Sequence, residues 1–166
     1  MALHGYELEH IKTPYPEFQA ESLEITIIPG LQWAMSRYNR PVMIDDSGLF
    51  VNALKGFPGV YSSYAFKTVG CDGILRLMQG VKERSARFEC CIGFMRPGAD
   101  PFIAKGVAEG SISAEKVGTG GFGYDPIFIP EGYHKTYAQF EVSEKNKISH
   151  RGRAIDLFLK ELPRLL

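Results

Sequence analysis

The chain has 166 residues, of which 45% are hydrophobic and 23% charged, a composition typical of one globular domain rather than of a disordered chain. Its 19 basic and 19 acidic residues cancel, which argues against binding to a nucleic-acid polymer or an anionic membrane. No apolar stretch approaches the ~20 residues that cross a bilayer, and the first residues lack the apolar core of a signal peptide. We therefore expect a single cytoplasmic domain over residues 1–166.

The first third of the chain predicts a strand, a loop and helical segments. Residues 6–11 alternate between apolar and polar side chains, as in a half-exposed strand, and residues 13–20 carry two prolines, as in a loop. Ser22 is a candidate helix cap. Pro29 is expected to kink or restart this helix, so a second helical stretch is predicted at residues 31–38.

A short apolar run at residues 42–44 predicts a buried strand, which Asp45 and Asp46 interrupt. Two adjacent carboxylates at the end of a buried strand are costly unless a cation, a proton or hydrogen-bond donors hold them. The pair is therefore a candidate site. The alternative is a turn in which an aspartate side chain caps the strand.

The middle of the chain predicts a helix followed by a hairpin. Apolar residues recur at helical spacing over residues 71–78. Residues 86–95 and 102–112 predict two long antiparallel strands joined by a turn. The cysteines Cys71, Cys90 and Cys91 show no metal-ligand spacing, and we expect buried reduced thiols.

The last third begins with a glycine-rich loop at residues 117–126 and a short strand at residues 127–129. Part of this loop, residues 118–123, satisfies the GxGxxG pattern, but no helix follows, so we reject a dinucleotide site. Ser143 and Ser149 are candidate caps of two final helices, the second covering about residues 150–162.

Several side chains in this region can carry chemistry. The glycines allow the backbone to approach a flat ligand, and Phe122 can stack on it; alternatively, Phe122 is a core residue. Lys145 can neutralise phosphate, and His150 and Arg151 can donate to a keto oxygen at a helix start that favours anions. The alternative is a solvated basic stretch with a chance histidine.

Five stretches together resemble the inosine triphosphate pyrophosphatase family. They are residues 45–49 (DDSGL), 56–62 (GFPGVYS), 121–126 (GFGYDP), 144–147 (EKNK) and 149–151 (SHR). The family hydrolyses non-canonical purine nucleoside triphosphates such as ITP, dITP and XTP to the monophosphate and pyrophosphate. The resemblance implies an α/β fold with a twisted, mixed central sheet flanked by helices, a cleft between two lobes, and a homodimer.

The same resemblance implies roles for individual residues. Asp46 would be the general base and a metal ligand, and Glu24 and Asp45 would complete a Mg²⁺ site. The residues implied to bind the nucleotide are Ser47, Phe122, Gly123, Tyr124, Asp125, Lys145, His150 and Arg151. Among these, Phe122 would stack on the base, and His150 with Arg151 would face its 6-keto edge. Hard carboxylate oxygens suit Mg²⁺, which would offset triphosphate charge.

One motif of the family has no counterpart in this sequence. Family members usually begin with a strand ending in a Thr/Ser-Gly/Ser-Asn-x-x-Lys phosphate loop. Either the sequence is a truncated chain or a start-site choice, or the protein lacks this part. In the second case the grip on the triphosphate would lose backbone donors and a lysine, so a non-catalytic nucleotide-binding remnant is the main alternative. A phosphohydrolase with an aspartyl nucleophile is a second alternative, but such enzymes need two aspartates separated by one residue, whereas Asp45 and Asp46 are adjacent.

Overall fold

The computed structural model describes residues 2–3, 6–13 and 20–166. The strands of this part of the chain are β1 (Ala2–Leu3), β2 (Tyr6–Glu7), β3 (Val42–Val51), β4 (Ser85–Met95), β5 (Phe102–Ile112) and β6 (Phe128–Pro130). The α-helices are α1 (Leu23–Tyr38), α2 (Ser62–Thr68), α3 (Gly70–Leu77), α4 (Val142–Ile148) and α5 (His150–Leu165). β1 pairs with β2, and the main sheet has the order β3-β4-β5-β6.

The α/β class with helices flanking a central sheet is confirmed. Within the described residues every strand pairing is antiparallel rather than mixed. The predicted hairpin is also confirmed as β4 and β5, whose register runs from Ser85 opposite Ser111 to Phe94 opposite Phe102. Two long strands separated by a short turn specify this pairing locally.

The two faces of the sheet are covered by different helices. Side chains alternate along β4, so that Cys90 packs with α5 on one face and Cys91 packs with α1 on the other. Gly93 lies on the α1 face, where an added Cβ would stand 2.6 Å from Leu31 Cδ1. The glycine therefore lets α1 lie close to the sheet. Glu24 is in the first turn of α1, and so it lies on this face of the sheet.

α1 is one helix and not the two stretches that Pro29 led us to predict. Ser22 caps it as predicted, since its side chain accepts a hydrogen bond from the Ile25 amide at 3.4 Å. An interior proline costs about 3 kcal/mol. The helix buries Leu23, Ile27, Gly30, Leu31 and Ala34. At about 1.5–3 kcal/mol for each large apolar side chain buried, this packing outweighs the cost of Pro29.

β3 continues through the aspartate pair, which the sequence had placed at a strand end. The ladder runs unbroken from Val42 opposite Met95 to Val51 opposite Ala86. Gly48 makes this possible because an added Cβ would lie 2.5 Å from the Gly59 carbonyl oxygen. The aspartates therefore lie within a paired strand, and their side chains point in alternate directions.

Other predicted boundaries shift by a few residues. The strand predicted at residues 6–11 covers only Tyr6–Glu7, and residues 14–19 of the predicted loop lie outside the described part. β6 begins one residue later than predicted. α4 starts at Val142 after an extended Glu141, so Ser143 is inside its first turn and is not the cap. α3, the irregular glycine loop and the Ser149 cap of α5 are as predicted.

The buried thiols expected from the sequence are confirmed, because Cys71, Cys90 and Cys91 are all free and buried. Among the described helices, none combines the length and the apolar character needed to span a membrane.

Candidate active site

β3 sends its two adjacent carboxylates to opposite faces of the sheet. Asp45 lies opposite Ile92, whose face is covered by α5, and Asp46 lies opposite Cys91, whose face is covered by α1. The predicted ligand set of Glu24, Asp45 and Asp46 is therefore divided. Glu24 and Asp46 share the α1 face, whereas Asp45 is on the other side.

On the α5 face, Arg151 ties the start of α5 to β3. Its Nη2 and Nε donate to Asp45 Oδ2 at 3.0 and 3.2 Å, and Nη2 also lies 3.4 Å from Ser47 Oγ. Asp45 is thus the ion-pair partner of Arg151. Two of the predicted nucleotide-binding residues, Ser47 and Arg151, are brought together by this contact.

The Phe122 ring lies beside two cationic side chains, those of Lys145 and Arg151. Its centroid is 4.4 Å from Lys145 Nζ and 5.2 Å from Arg151 Cζ, distances at which a cation is attracted to an aromatic face. Phe122 is 59% exposed, so the alternative of a core residue is wrong. Its ring is accessible to a flat ligand.

A buried ion pair holds the glycine loop in place. Asp125 is 1% exposed and accepts a hydrogen bond from Lys145, with which it forms an ion pair. The same carboxylate oxygen, Oδ2, accepts from the Phe122 amide at 2.7 Å. Gly121 has φ +72, and an added Cβ there would lie 1.9 Å from Asp125 Oδ2. The glycine is required so that the loop can close over this carboxylate.

Gly123 and Tyr124 attach the glycine loop to the protein interior. Tyr124 is 3% exposed, packs edge-on against Phe66, and donates from its hydroxyl to the Ser62 carbonyl at 3.4 Å. Burial raises its pKa to about 12, so the phenol stays protonated. The Gly123 carbonyl accepts from the Cys71 thiol at 3.6 Å. In this structure both residues contact the protein interior.

His150 is a buried, neutral imidazole. It is 3% exposed and stacks on Phe88 with the ring centroids 4.6 Å apart. Burial, and then the positive charges of Arg151 and Lys145, lower its pKa to about 3. Among the described residues, no hydrogen-bond partner reaches its buried Nδ1. Such a polar atom is costly unless a ligand satisfies it.

The α1 face carries a row of four charged side chains, of which the sequence predicted only Glu24 as a site residue. Lys105 Nζ donates to Glu24 Oε1 at 2.7 Å and lies 2.8 Å from Glu89 Oε2. Glu89 Oε1 in turn accepts from Arg87 Nε at 2.6 Å. No local signal identifies this row, because Lys105 and Glu24 are 81 positions apart and meet only through the strand register.

These contacts shift the pKa values of Glu24 and Lys105. Burial raises the pKa of Glu24, but the hydrogen bond from Lys105 and further polar contacts outweigh it and leave the pKa below its ordinary value. Burial lowers the pKa of Lys105, but its hydrogen bonds with Glu24 and Glu89 outweigh this effect and leave the pKa above its ordinary value. Both groups are therefore charged at neutral pH.

Glu24 and Asp46 fit a hard divalent cation. Glu24 Oε2 is buried and has no hydrogen-bond partner among the described residues, and Asp46 Oδ1 accepts from the Ser47 amide at 2.8 Å. The described side chains include no group of three or more His, Cys, Asp or Glu that could hold a metal by itself. Mg²⁺ is commonly bound by one or two carboxylates together with substrate phosphates and water, and these two carboxylates match that requirement.

The sequence matches known proteins over almost its whole length. A family model described as the Ham1 family covers residues 2–161. A dITP/XTP pyrophosphatase of Pyrococcus horikoshii is 51% identical over 158 residues, which are 95% of this chain and 84% of that protein. A second, from Thermococcus kodakarensis, is 50% identical over 93% of this chain and 83% of that protein.

Solved structures agree with this assignment. The Ham1 protein of Staphylococcus aureus superposes with a TM-score of 0.86 at 35% identity, covering 92% of this chain and 82% of that one. A HAM1 protein from Coxiella burnetii gives 0.82 at 33% identity, with 90% and 81% covered. The resemblance drawn from the motifs is confirmed, and the chain belongs to the Ham1 family.

Proposed function

We propose that this chain hydrolyses non-canonical purine nucleoside triphosphates, among them ITP, dITP and XTP, to the monophosphate and pyrophosphate. The names of the relatives at about 50% identity support this activity. The observation that carries the proposal is the position of Arg151, which contacts Asp45 and Ser47 of β3 and also lies against the Phe122 ring. Three segments that are far apart in the sequence thereby form one surface.

On this surface the purine would stack on Phe122, whose exposed ring offers a flat apolar face. The neutral His150 and the guanidinium of Arg151 would donate to the 6-keto oxygen. A 6-amino group would meet these donors with its own N–H bonds and leave buried polar atoms unpaired. Such mismatches cost on the order of a thousandfold or more in rate, which is the physical basis for discrimination against ATP.

On the α1 face, Asp46 would orient the attacking water and accept its proton as the bond between the α- and β-phosphates breaks. The Ser47 amide fixes the Asp46 carboxylate for this role by donating to Oδ1 at 2.8 Å. Glu24 and Asp46 would hold the metal. When bound, Mg²⁺ offsets the charge of the triphosphate and the charge that develops on the departing pyrophosphate.

The nucleotide would cross β3, which lies at one end of the strand order of the described sheet. Asp46 and Ser47 are consecutive, so their Cα atoms are about 3.8 Å apart although their side chains belong to different faces. The base would lie on the α5 face and the triphosphate would reach the α1 face. In this arrangement Asp45 orients Arg151 and does not ligate the metal.

We also propose Mg²⁺ as the preferred metal and a homodimer as the working form. Carboxylate oxygens favour hard cations, and the dimer follows from the family resemblance. Light scattering distinguishes a chain of 18.5 kDa from a particle of twice that mass. The cytoplasmic location stays a prediction.

The direct test is pyrophosphate release from ITP, XTP, ATP and GTP, each with Mg²⁺ and with EDTA. We expect release from ITP and XTP that depends on the metal, and little from ATP. Asp46→Asn should fold normally and lose nearly all turnover; a near-normal rate would place the base elsewhere. ITP binding without any turnover of the wild type would favour the non-catalytic alternative.

A further inference from the structure

We propose that Lys105 is a positioning residue that holds the Glu24 carboxylate by Oε1 and thereby presents Oε2 to the metal ion. This inference rests on the proposed function and names a device within the same site. Lys105 lies on β5 opposite Cys91, and Cys91 lies opposite Asp46. The ammonium therefore belongs to the same sheet face as the two proposed ligands.

The ammonium is itself anchored. Its second partner, Glu89, is 4% exposed and is held from its other oxygen by Arg87 at 2.6 Å. The Arg87 guanidinium in turn lies 4.9 Å from the centre of the Phe50 ring. Because each member is fixed by the next, the hydrogen bond from Lys105 fixes Glu24 Oε1 relative to the sheet.

Anchoring matters because a glutamate side chain is flexible. Ordering it costs free energy, and a ligand that is already ordered binds its metal with less loss. In metal sites generally, side chains that orient the ligands change metal affinity or activity by about 10–100-fold when removed. Glu24 is on a helix and Asp46 is on a strand. A contact that fixes α1 relative to the sheet, such as the hydrogen bond from Lys105, therefore keeps the two proposed ligands in register.

A second explanation of the Lys105–Glu24 contact predicts the opposite change in metal affinity. If Lys105 were only a counter-ion that competes with the metal for Glu24, its removal would tighten metal binding. The geometry favours positioning, because Lys105 contacts Oε1 while Oε2 has no hydrogen-bond partner among the described residues.

The experiment measures Mn²⁺ binding by electron paramagnetic resonance in the presence of α,β-methylene inosine triphosphate, which the enzyme cannot cleave. We expect Lys105→Met to weaken Mn²⁺ binding by about tenfold or more, and Lys105→Arg, which keeps charge and donors, to restore most of it. Lys116→Met is the matched control, since Lys116 pairs with the exposed Asp72 at 2.9 Å; it should bind Mn²⁺ like the wild type.

Unchanged or tighter Mn²⁺ binding by folded Lys105→Met overturns the inference. Circular dichroism checks the fold, and if that variant does not fold, Lys105→Gln takes its place with the same expectation and the same refutation. A wild type that releases pyrophosphate from ITP while Lys105→Met binds Mn²⁺ equally well overturns this inference alone. A wild type that binds neither metal nor nucleotide overturns the proposed function and this inference with it.

Discussion

The buried imidazole of His150 predicts a specific loss of stability in mild acid. Burial and the charges of Arg151 and Lys145 lower its pKa to about 3, whereas an unfolded histidine has a pKa of about 6.5. Between these values the unfolded chain binds a proton that the native chain does not, so the free energy of unfolding falls as pH falls from about 6.5 toward about 3. For one group with these two pKa values, the loss between pH 7 and pH 5 is about 2 kcal/mol.

Chemical denaturation at pH 7 and pH 5 measures this loss. In His150→Gln the decrease in the free energy of unfolding should be smaller than in the wild type by about 2 kcal/mol. The control is His134→Gln, an exposed position, which should keep the wild-type decrease. Equal decreases in all three proteins would mean that His150 is protonated as readily in the native chain as in the unfolded one, and would refute the reasoning from burial.

Three further predictions concern the contacts around the glycine loop. Phe122→Ala should weaken inosine nucleotide binding, measured by calorimetry, by ~1–3 kcal/mol if the ring stacks on the base; unchanged affinity would exclude stacking. Asp45→Asn should release Arg151 and lower the ratio of kcat/KM for ITP over ATP, while Mn²⁺ affinity stays the same; a large loss of metal affinity would return Asp45 to the ligand set. Asp125→Asn should lower the free energy of unfolding by about 3 kcal/mol or more because it leaves the Lys145 ammonium buried without its carboxylate. Adding Lys145→Met should recover part of that stability, and no recovery would argue against the ion pair as the cause.

Features set by local pattern were predictable from the sequence. The β4–β5 hairpin follows from two long strand-like segments joined by turn residues, and Ser149 caps α5 by accepting from the Gly152 amide. Phe122 and Lys145 were expected at one site, and the structure does place them side by side. In each case the determinants lie within a few residues of one another or in a recognisable motif.

Features set by tertiary packing were not predictable in this way. Pro29 weakens a helix locally, and only burial against the sheet shows why α1 continues. The aspartate pair looks like a strand end until the Gly48–Gly59 approach extends β3 through it.

The register of the strands also determines which side chains meet in the candidate site. The side-chain period of a strand is two, so the position of one residue relative to its neighbour strand determines the face it occupies. This sends Asp45 to Arg151 and Asp46 to the face of Glu24, and it brings Lys105 to Glu24. A motif names the residues that matter but does not say on which side of the sheet they work.

The most direct test of the proposed activity is a competition between ITP and ATP, supplied at equal concentration in one reaction with Mg²⁺ and followed by chromatography of the nucleotides. We expect IMP and pyrophosphate to appear while ATP remains. AMP forming as fast as IMP, or IDP and inorganic phosphate forming instead, would contradict it.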